Sequence, residues 1–173
     1  MKPKAATVVS AIEHATRHLK TRTLTTESPP LDPNKPWSMH CSAMFRETMR
    51  QLSSRGVKVS SSYTDENADA NELGRRIMHS PGDWIAVPLH EVQALSNEGV
   101  VVVGVYLNPN GPGHMAIAYP TEMKNSSPLF RDGNIHRHHG GVTPSSYGAA
   151  PAEKAFYNVL GSTRFFKYRH TVP

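Results

Sequence analysis

Cys41 and His114 are the two side chains of this sequence best suited to carry chemistry. Cys41 is the only cysteine among 173 residues and lies at the start of a predicted helix, whereas His114 opens a short alternating strand far downstream. A helix N-terminus and a facing imidazole both stabilise a thiolate, so this placement predicts a lowered pKa for the thiol. The sequence therefore predicts a cysteine nucleophile at position 41 and a general base at position 114.

The nucleophile is expected on the first turn of an amphipathic helix. Ser38 is a plausible N-cap, and Gly56 is expected to end the helix. Apolar side chains recur at helical spacing after Cys41, at Phe45, Met49 and Leu52. This spacing places Cys41 on the buried edge of the helix.

The base is expected on a sheet. After Pro81 the pattern changes to strands, with a valine-rich run at 100–107 that is typical of a buried strand. The turn formers NPNGPG follow and leave His114 at the mouth of the next strand. The other predicted strands are 84–89, 128–134 and 164–169.

The remaining segments are predicted to support this core. The sequence predicts a first helix over 5–20, a connector rich in Pro, Thr and Ser up to residue 36, and short helices over 70–80 and 90–99. Residues 136–151 are expected to form an irregular loop, and 153–160 a helical turn or two. The length favours one domain over 1–173 that needs neither disulfide nor structural metal.

The net charge of +5, from 19 Lys and Arg against 14 Asp and Glu, favours an anionic partner. Nucleic acid, an acidic lipid surface and a bacterial wall polymer all qualify, but the basic residues are scattered and form no dense run typical of a nucleic-acid-binding arm. We expect no signal peptide, because charged and histidine side chains interrupt the first twenty residues, and no membrane insertion. Action outside the cytoplasm of a bacterial producer would then need a non-classical route.

Two motifs in order carry a resemblance to a known family. The segment PWSMHCSAMFRETM at the helix start, followed by GPGHMAIAYP at the strand, resembles the papain-like cell-wall hydrolases of the NlpC and CHAP type. The chain is also similar to amidase toxins injected through type VI secretion and to phage peptidoglycan peptidases. The resemblance spans 37–119, with weaker support in the final strand RFFKYR. It implies an α+β fold in which N-terminal helices bear the nucleophile and pack on a small antiparallel sheet.

The resemblance also implies roles for further residues. A polar side chain on the strand after His114 would orient the imidazole, and Asp132 is the preferred candidate, with Asn125 and Asn134 as alternatives. The backbone N–H of Cys41 would stabilise the oxyanion, aided by Ser38 or His40. Trp37 would either wall the cleft or act as a hydrophobic staple for the helix.

The function that this resemblance implies is hydrolysis of amide bonds in peptidoglycan peptide stems, without metal or organic cofactor. The chain would act in the periplasm or cell wall of a target cell, as an antibacterial effector or a phage lytic enzyme. An effector would also need a cognate immunity protein that blocks the cleft in the producing cell. The sequence leaves the cleaved bond and the oligomeric state open.

Three alternatives stay open. The same residues would serve a papain-like protease or deamidase that acts on a host protein. A non-enzymatic, basic nucleic-acid-binding domain would explain the charge but not the placement of the cysteine and histidine. The cluster His136, His138 and His139 would offer nitrogen ligands to zinc or nickel, although H-x-H-H in a glycine-bounded loop matches no helical zinc motif and fits the edge of a cleft better.

Overall fold

A six-stranded antiparallel sheet with helices against both faces forms the core of the structure. The structure is a computed structural model that describes residues 1–25, 41–122, 127–132, 137–138, 141–142 and 149–173, with the side chains of 20–25, 137–138 and 141–142 left aside. Mixed helix and antiparallel sheet confirms the predicted α+β class.

The sheet has the strand order β1-β8-β2-β3-β4-β7. The closing strand β8 pairs with both β1 and β2, so it is an internal strand of the sheet rather than an edge strand. A separate two-stranded ribbon joins β5 to β6. The strands are β1 (Trp84–Val87), β2 (Val102–Tyr106), β3 (His114–Ala118), β4 (Leu129–Arg131), β5 (Arg137–His138), β6 (Gly141–Val142), β7 (Ala150–Pro151) and β8 (Arg164–Tyr168).

Three helices cover the first face of the sheet. They are α1 (Pro3–Thr25), α2 (Cys41–Ser53) and α3 (Ala70–Met78). The helices α1 and α2 pack against each other, and α2 also packs across β3. The apolar stripe predicted for α2 is buried here, and alternate residues of β3 point into the same cluster, which contains Phe45, Met49, Leu52, Met115 and Ile117.

The second face carries a smaller, aromatic cluster. The helix α4 (Leu89–Asn97), the short helix α5 (Ala152–Ala155) and the 3-10 turn Tyr157–Ser162 lie on this side. Because strand side chains alternate, Ala116 and Ala118 of β3 point here while Met115 points to the first face. Phe156 is central to the cluster, since its ring fills the space over Gly104 that a Cβ would occupy.

The observed elements differ from the prediction mainly at their ends. The first helix runs to Thr25 rather than to residue 20, and α2 begins at Cys41. The short strands β5, β6 and β7 lie in the region predicted as an irregular loop, whereas β4 lies within the predicted strand 128–134. Strands of two residues have no periodicity for a sequence to display, and they exist because a partner strand is nearby.

Candidate active site

Cys41 is the first residue of α2 and is almost fully buried, at 5 % exposure. The helix crosses β3 at this end, so the thiol lies in the first-face cluster beside Met115. As a small apolar group, a thiol suits such a site. The helix start thus brings the cysteine to the beginning of the strand that carries His114.

Backbone N–H groups surround the sulfur. The backbone N–H groups of Met115, Ser42 and Cys41 itself lie near it, and each of them lowers the pKa of the thiol. Burial has the larger effect, and with a contribution from the Asp132 charge it raises the pKa of Cys41 to about 11. The expectation of a lowered pKa is therefore wrong for this conformation, because the helix dipole and N–H groups stabilise a thiolate less than desolvation destabilises it.

The His114 ring is held at Nε2. This nitrogen lies 2.8 Å from the carbonyl oxygen of Ala155 and 3.5 Å from Oδ2 of Asp132. Both oxygens are acceptors, so Nε2 carries a proton. The edge of the ring packs against Phe156, with ring centroids 5.4 Å apart. These contacts select one tautomer.

Asp132 directly follows the short strand β4. Arg131 pairs with Ile117 and Phe130 with Ala118, so continued register places Asp132 on the same face of the sheet as His114. Both side chains are largely buried, at 9 % exposure for Asp132 and 17 % for His114.

The Cys41 thiol lies beside Met115, the residue that directly follows His114 in β3. Because strand side chains alternate, the His114 ring packs toward the second face of the sheet, while the sulfur lies in the cluster on the first.

The neighbour of Asp132 ties the site to the first helix. Buried Arg131 forms an ion pair with Glu13 at 3.0 Å and a hydrogen bond with Thr16 at 2.9 Å, and it lies over the ring of Tyr119. Tyr119 donates to the same carboxylate, and burial with this contact raises the pKa of Tyr119 to about 12. The network fixes the end of β4, and with it the position of Asp132.

Ala155 is the site residue that sequence reasoning missed. Its contribution is a main-chain carbonyl oxygen, closer to the ring than the predicted carboxylate is. No residue type marks a carbonyl for such a role, so the sequence carries no signal for it. The predicted helical turn over 153–160 was the nearest indication.

Several predicted residues lie outside the described ranges. Residues 26–40 include the proposed oxyanion and cleft residues Trp37, Ser38 and His40. Asn125, Asn134, His136 and His139 also lie outside, and only the backbone of His138 is described, in β5. Within the described residues, no group of three or more His, Cys, Asp or Glu side chains is placed to hold a metal ion.

No family model matches the chain, and no curated protein matches its sequence. None of the helices in the described part of the chain has the length and apolar character to cross a membrane.

Proposed function

We propose that this protein is a cysteine-dependent amidase of papain-like architecture that hydrolyses amide bonds in peptidoglycan peptide stems. Two observations support this most: the His114–Asp132 pair, with 3.5 Å between Nε2 and Oδ2, and the Cys41 thiol beside Met115, the residue that follows His114. The cysteine starts a helix that packs on the strand opened by the histidine, and the carboxylate ends the next strand.

The tautomer of His114 supports its role as the base. With the Nε2 proton directed to Ala155 and Asp132, Nδ1 is the nitrogen that accepts a proton from the thiol. Because the thiol of the resting enzyme is protonated at neutral pH, this transfer accompanies the attack of the sulfur. The resulting imidazolium is stabilised by Asp132.

The reaction then follows the chemistry of an acyl-enzyme. The Cys41 sulfur attacks the carbonyl carbon, and the Cys41 backbone N–H at the helix start stabilises the oxyanion. His114 returns its proton to the leaving amine, which leaves a thioester. Water, deprotonated by His114, cleaves the thioester and regenerates the thiol.

The charge of the protein suits an anionic polymer. A net charge of +5 raises the local concentration of the protein on bacterial wall without recognising any sequence. This favours wall over a neutral peptide, although the pair of residues alone would serve either substrate.

Digestion of purified sacculi tests the proposal. We expect the wild type to release soluble muropeptides, Cys41→Ala to release none, and His90→Ala to match the wild type because that side chain is 81 % exposed on α4. Mass spectrometry of the fragments identifies the bond that is cut. Equal release by wild type and Cys41→Ala would refute the nucleophile. If the enzyme leaves sacculi intact but cleaves or deamidates proteins, the substrate is a protein rather than peptidoglycan.

We further propose that the protein acts in the wall compartment of a target cell, with a cognate inhibitor that occupies the cleft. Expression with an added secretion leader should lyse bacterial host cells, whereas expression without it should not. The Cys41→Ala variant with the same leader serves as the control. Lysis by that variant would contradict the proposal.

A further inference from the structure

The loop between β2 and β3, residues 107–113, is closed by a side chain from α3. Asn71 donates through Nδ2 to the carbonyl oxygens of Asn108 at 3.1 Å and Gly111 at 2.9 Å. Its Oδ1 accepts the N–H of Asn108 at 2.9 Å. One amide group thus bonds the loop at both ends of its turn, and it does so at 8 % exposure.

The same amide also contacts the residue just before His114. A Cβ at Gly113 would overlap Oδ1 of Asn71 and lie 2.8 Å from the carbonyl oxygen of Tyr106. Only glycine leaves room for this contact. The position of the Asn71 amide therefore sets where the backbone enters β3, one peptide before the histidine.

The helix that carries Asn71 is docked closely on the sheet. Asp69 caps α3, so Asn71 lies in the first turn. One turn later, a Cβ at Gly74 would lie 2.6 Å from side-chain carbons of both Val105 and Leu107. This glycine lets the helix approach the end of β2, and residues three apart share one helix face. The loop is thus attached to a rigid support.

We infer that Asn71 is a positioning residue that fixes the His114 ring in its Nε2-protonated orientation through the 107–113 loop. This inference rests on the proposed function for its catalytic consequence, but not for its effect on the ring. The ring makes its contacts with Ala155 and Asp132 only if the first residue of β3 is held in place. Misplacing a catalytic group by about 1 Å costs up to about 100-fold in rate.

The test compares Asn71→Ala and Asn71→Asp with Asn67→Ala, a control in which the same side-chain type is exposed and makes no described side-chain hydrogen bond. The first readout is the ¹⁵N NMR spectrum of the His114 ring, which reports the tautomer without any substrate. We expect one Nε2-protonated form in the wild type and Asn67→Ala, and a mixture of tautomers in Asn71→Ala. Asn71→Asp keeps the acceptor but loses both donors, so we expect an intermediate spectrum.

The second readout is the turnover of soluble muropeptides as a function of pH. We expect Asn71→Ala to lower kcat by about 10- to 100-fold with KM changed by less than about twofold, because the base and not substrate binding is affected. Circular dichroism and thermal unfolding verify that each variant is folded. If Asn71→Ala does not fold, the Asn71→Asp spectrum decides the question.

The two readouts distinguish the two proposals. A tautomer mixture in Asn71→Ala supports the inference even if the wild type fails to cleave muropeptides, a result that would overturn only the proposed function. A His114 spectrum and a pH profile in Asn71→Ala that equal those of Asn67→Ala would overturn the inference and leave the proposed function intact.

Discussion

Two histidine–aspartate pairs lie in the described part of the chain, and their surroundings differ. His170 and Asp83 form the closer pair, with Nε2 and Oδ1 2.8 Å apart, whereas His114 and Asp132 are separated by 3.5 Å. The closer pair is more exposed, and its carboxylate also accepts from the Tyr63 hydroxyl at 2.9 Å.

The difference is in what surrounds each ring. His170 joins the end of the chain to the start of β1, where its aspartate lies, and contacts the ring of Tyr168. The His114 ring is held by a main-chain carbonyl, packs on Phe156 and lies next to the peptide that contacts a thiol. The shorter ion pair therefore fits a structural attachment, whereas the constrained ring of His114 fits the proposed catalytic role.

The largest expected contrast comes from removing each histidine. His114→Ala should lower muropeptide turnover by at least about 1000-fold, because loss of the base removes proton transfer in both steps. His170→Ala should keep turnover within about twofold of the wild type and lower stability instead. Turnover and urea unfolding of both variants measure this. Equal loss of turnover in the two variants would erase the distinction between the pairs.

The thiol that distinguishes the first pair should also make stability depend on alkaline pH. Burial raises the pKa of Cys41 from 9.0 to about 11, so its stabilising contribution is complete below pH 9 and is lost as the pH rises through 11. Relative to Cys41→Ser, the wild type should lose about 2 to 3 kcal/mol of unfolding free energy between pH 8 and pH 11. Urea unfolding at these two pH values provides the measurement. If the unfolding free energies of the wild type and Cys41→Ser change equally between these pH values, the pKa of the Cys41 thiol is not raised.

The packing of Phe156 against the His114 ring should be as important as the polar contacts of that ring. In Gly104→Ala the new methyl group overlaps the Phe156 ring, so we expect a loss of about 1 to 3 kcal/mol in unfolding free energy. Turnover should also fall, since Phe156 follows the carbonyl that holds His114. Gly161→Ala is the matched control, because a Cβ there meets no atom within 4 Å. A Gly104→Ala variant as stable and active as Gly161→Ala would contradict this role of Phe156.

Asp132→Asn should have a moderate effect, about tenfold on turnover. The Ala155 carbonyl still binds the Nε2 proton, so the tautomer is retained while the charge that would stabilise the imidazolium is lost. Turnover of soluble muropeptides by Asp132→Asn, measured beside His114→Ala, checks this. A loss as large as that of His114→Ala would make the carboxylate, rather than the carbonyl, the group that holds the ring.

The smallest effect is expected for Asp83→Asn, which should leave turnover unchanged. Burial opposes ionisation of this carboxyl, but hydrogen bonds from His170 and Tyr63 outweigh it and lower the pKa of Asp83. The stabilisation is therefore present above pH 3.8 and is lost as the pH falls through the lower native value. We expect a loss of about 1 kcal/mol at pH 6 that shrinks below pH 4, measured by thermal unfolding. If the difference in stability between Asp83→Asn and the wild type stays constant from pH 6 to below pH 4, the loss comes from altered side-chain packing rather than from the lost charge.

Local pattern predicted the elements but not their partners. The valine-rich run, the glycine-rich turn and the alternation after His114 each act over a few residues, and β2 and β3 lie where these patterns predict them. The place of β8 between β1 and β2 depends on contacts between residues at least 59 positions apart. No local pattern in the chain encodes such an order.

The site was predictable only as far as side-chain types reveal it. The sequence predicts Asp132 because it lies in the segment expected to form the next strand after His114, and the structure places its Oδ2 3.5 Å from Nε2, although its catalytic role stays a prediction. The raised pKa of Cys41 depends on how completely α2 and β3 enclose the sulfur, which is a tertiary quantity. The role of the Ala155 carbonyl cannot be predicted from residue types, because every residue carries a main-chain carbonyl.

The ion pair between Glu13 and Arg131 has a practical consequence for protein engineering. A shortened expression product that starts at Trp37 would retain both family-like motifs, yet it would remove the carboxylate that neutralises a guanidinium enclosed at 8 % exposure. It would also uncover the apolar surface on which Val8, Ala11 and Ile12 rest. We expect such a product to precipitate, or Asp132 to move because its neighbour Arg131 has lost its partner. Inactivity of the shortened product would therefore say nothing about Cys41 as the nucleophile.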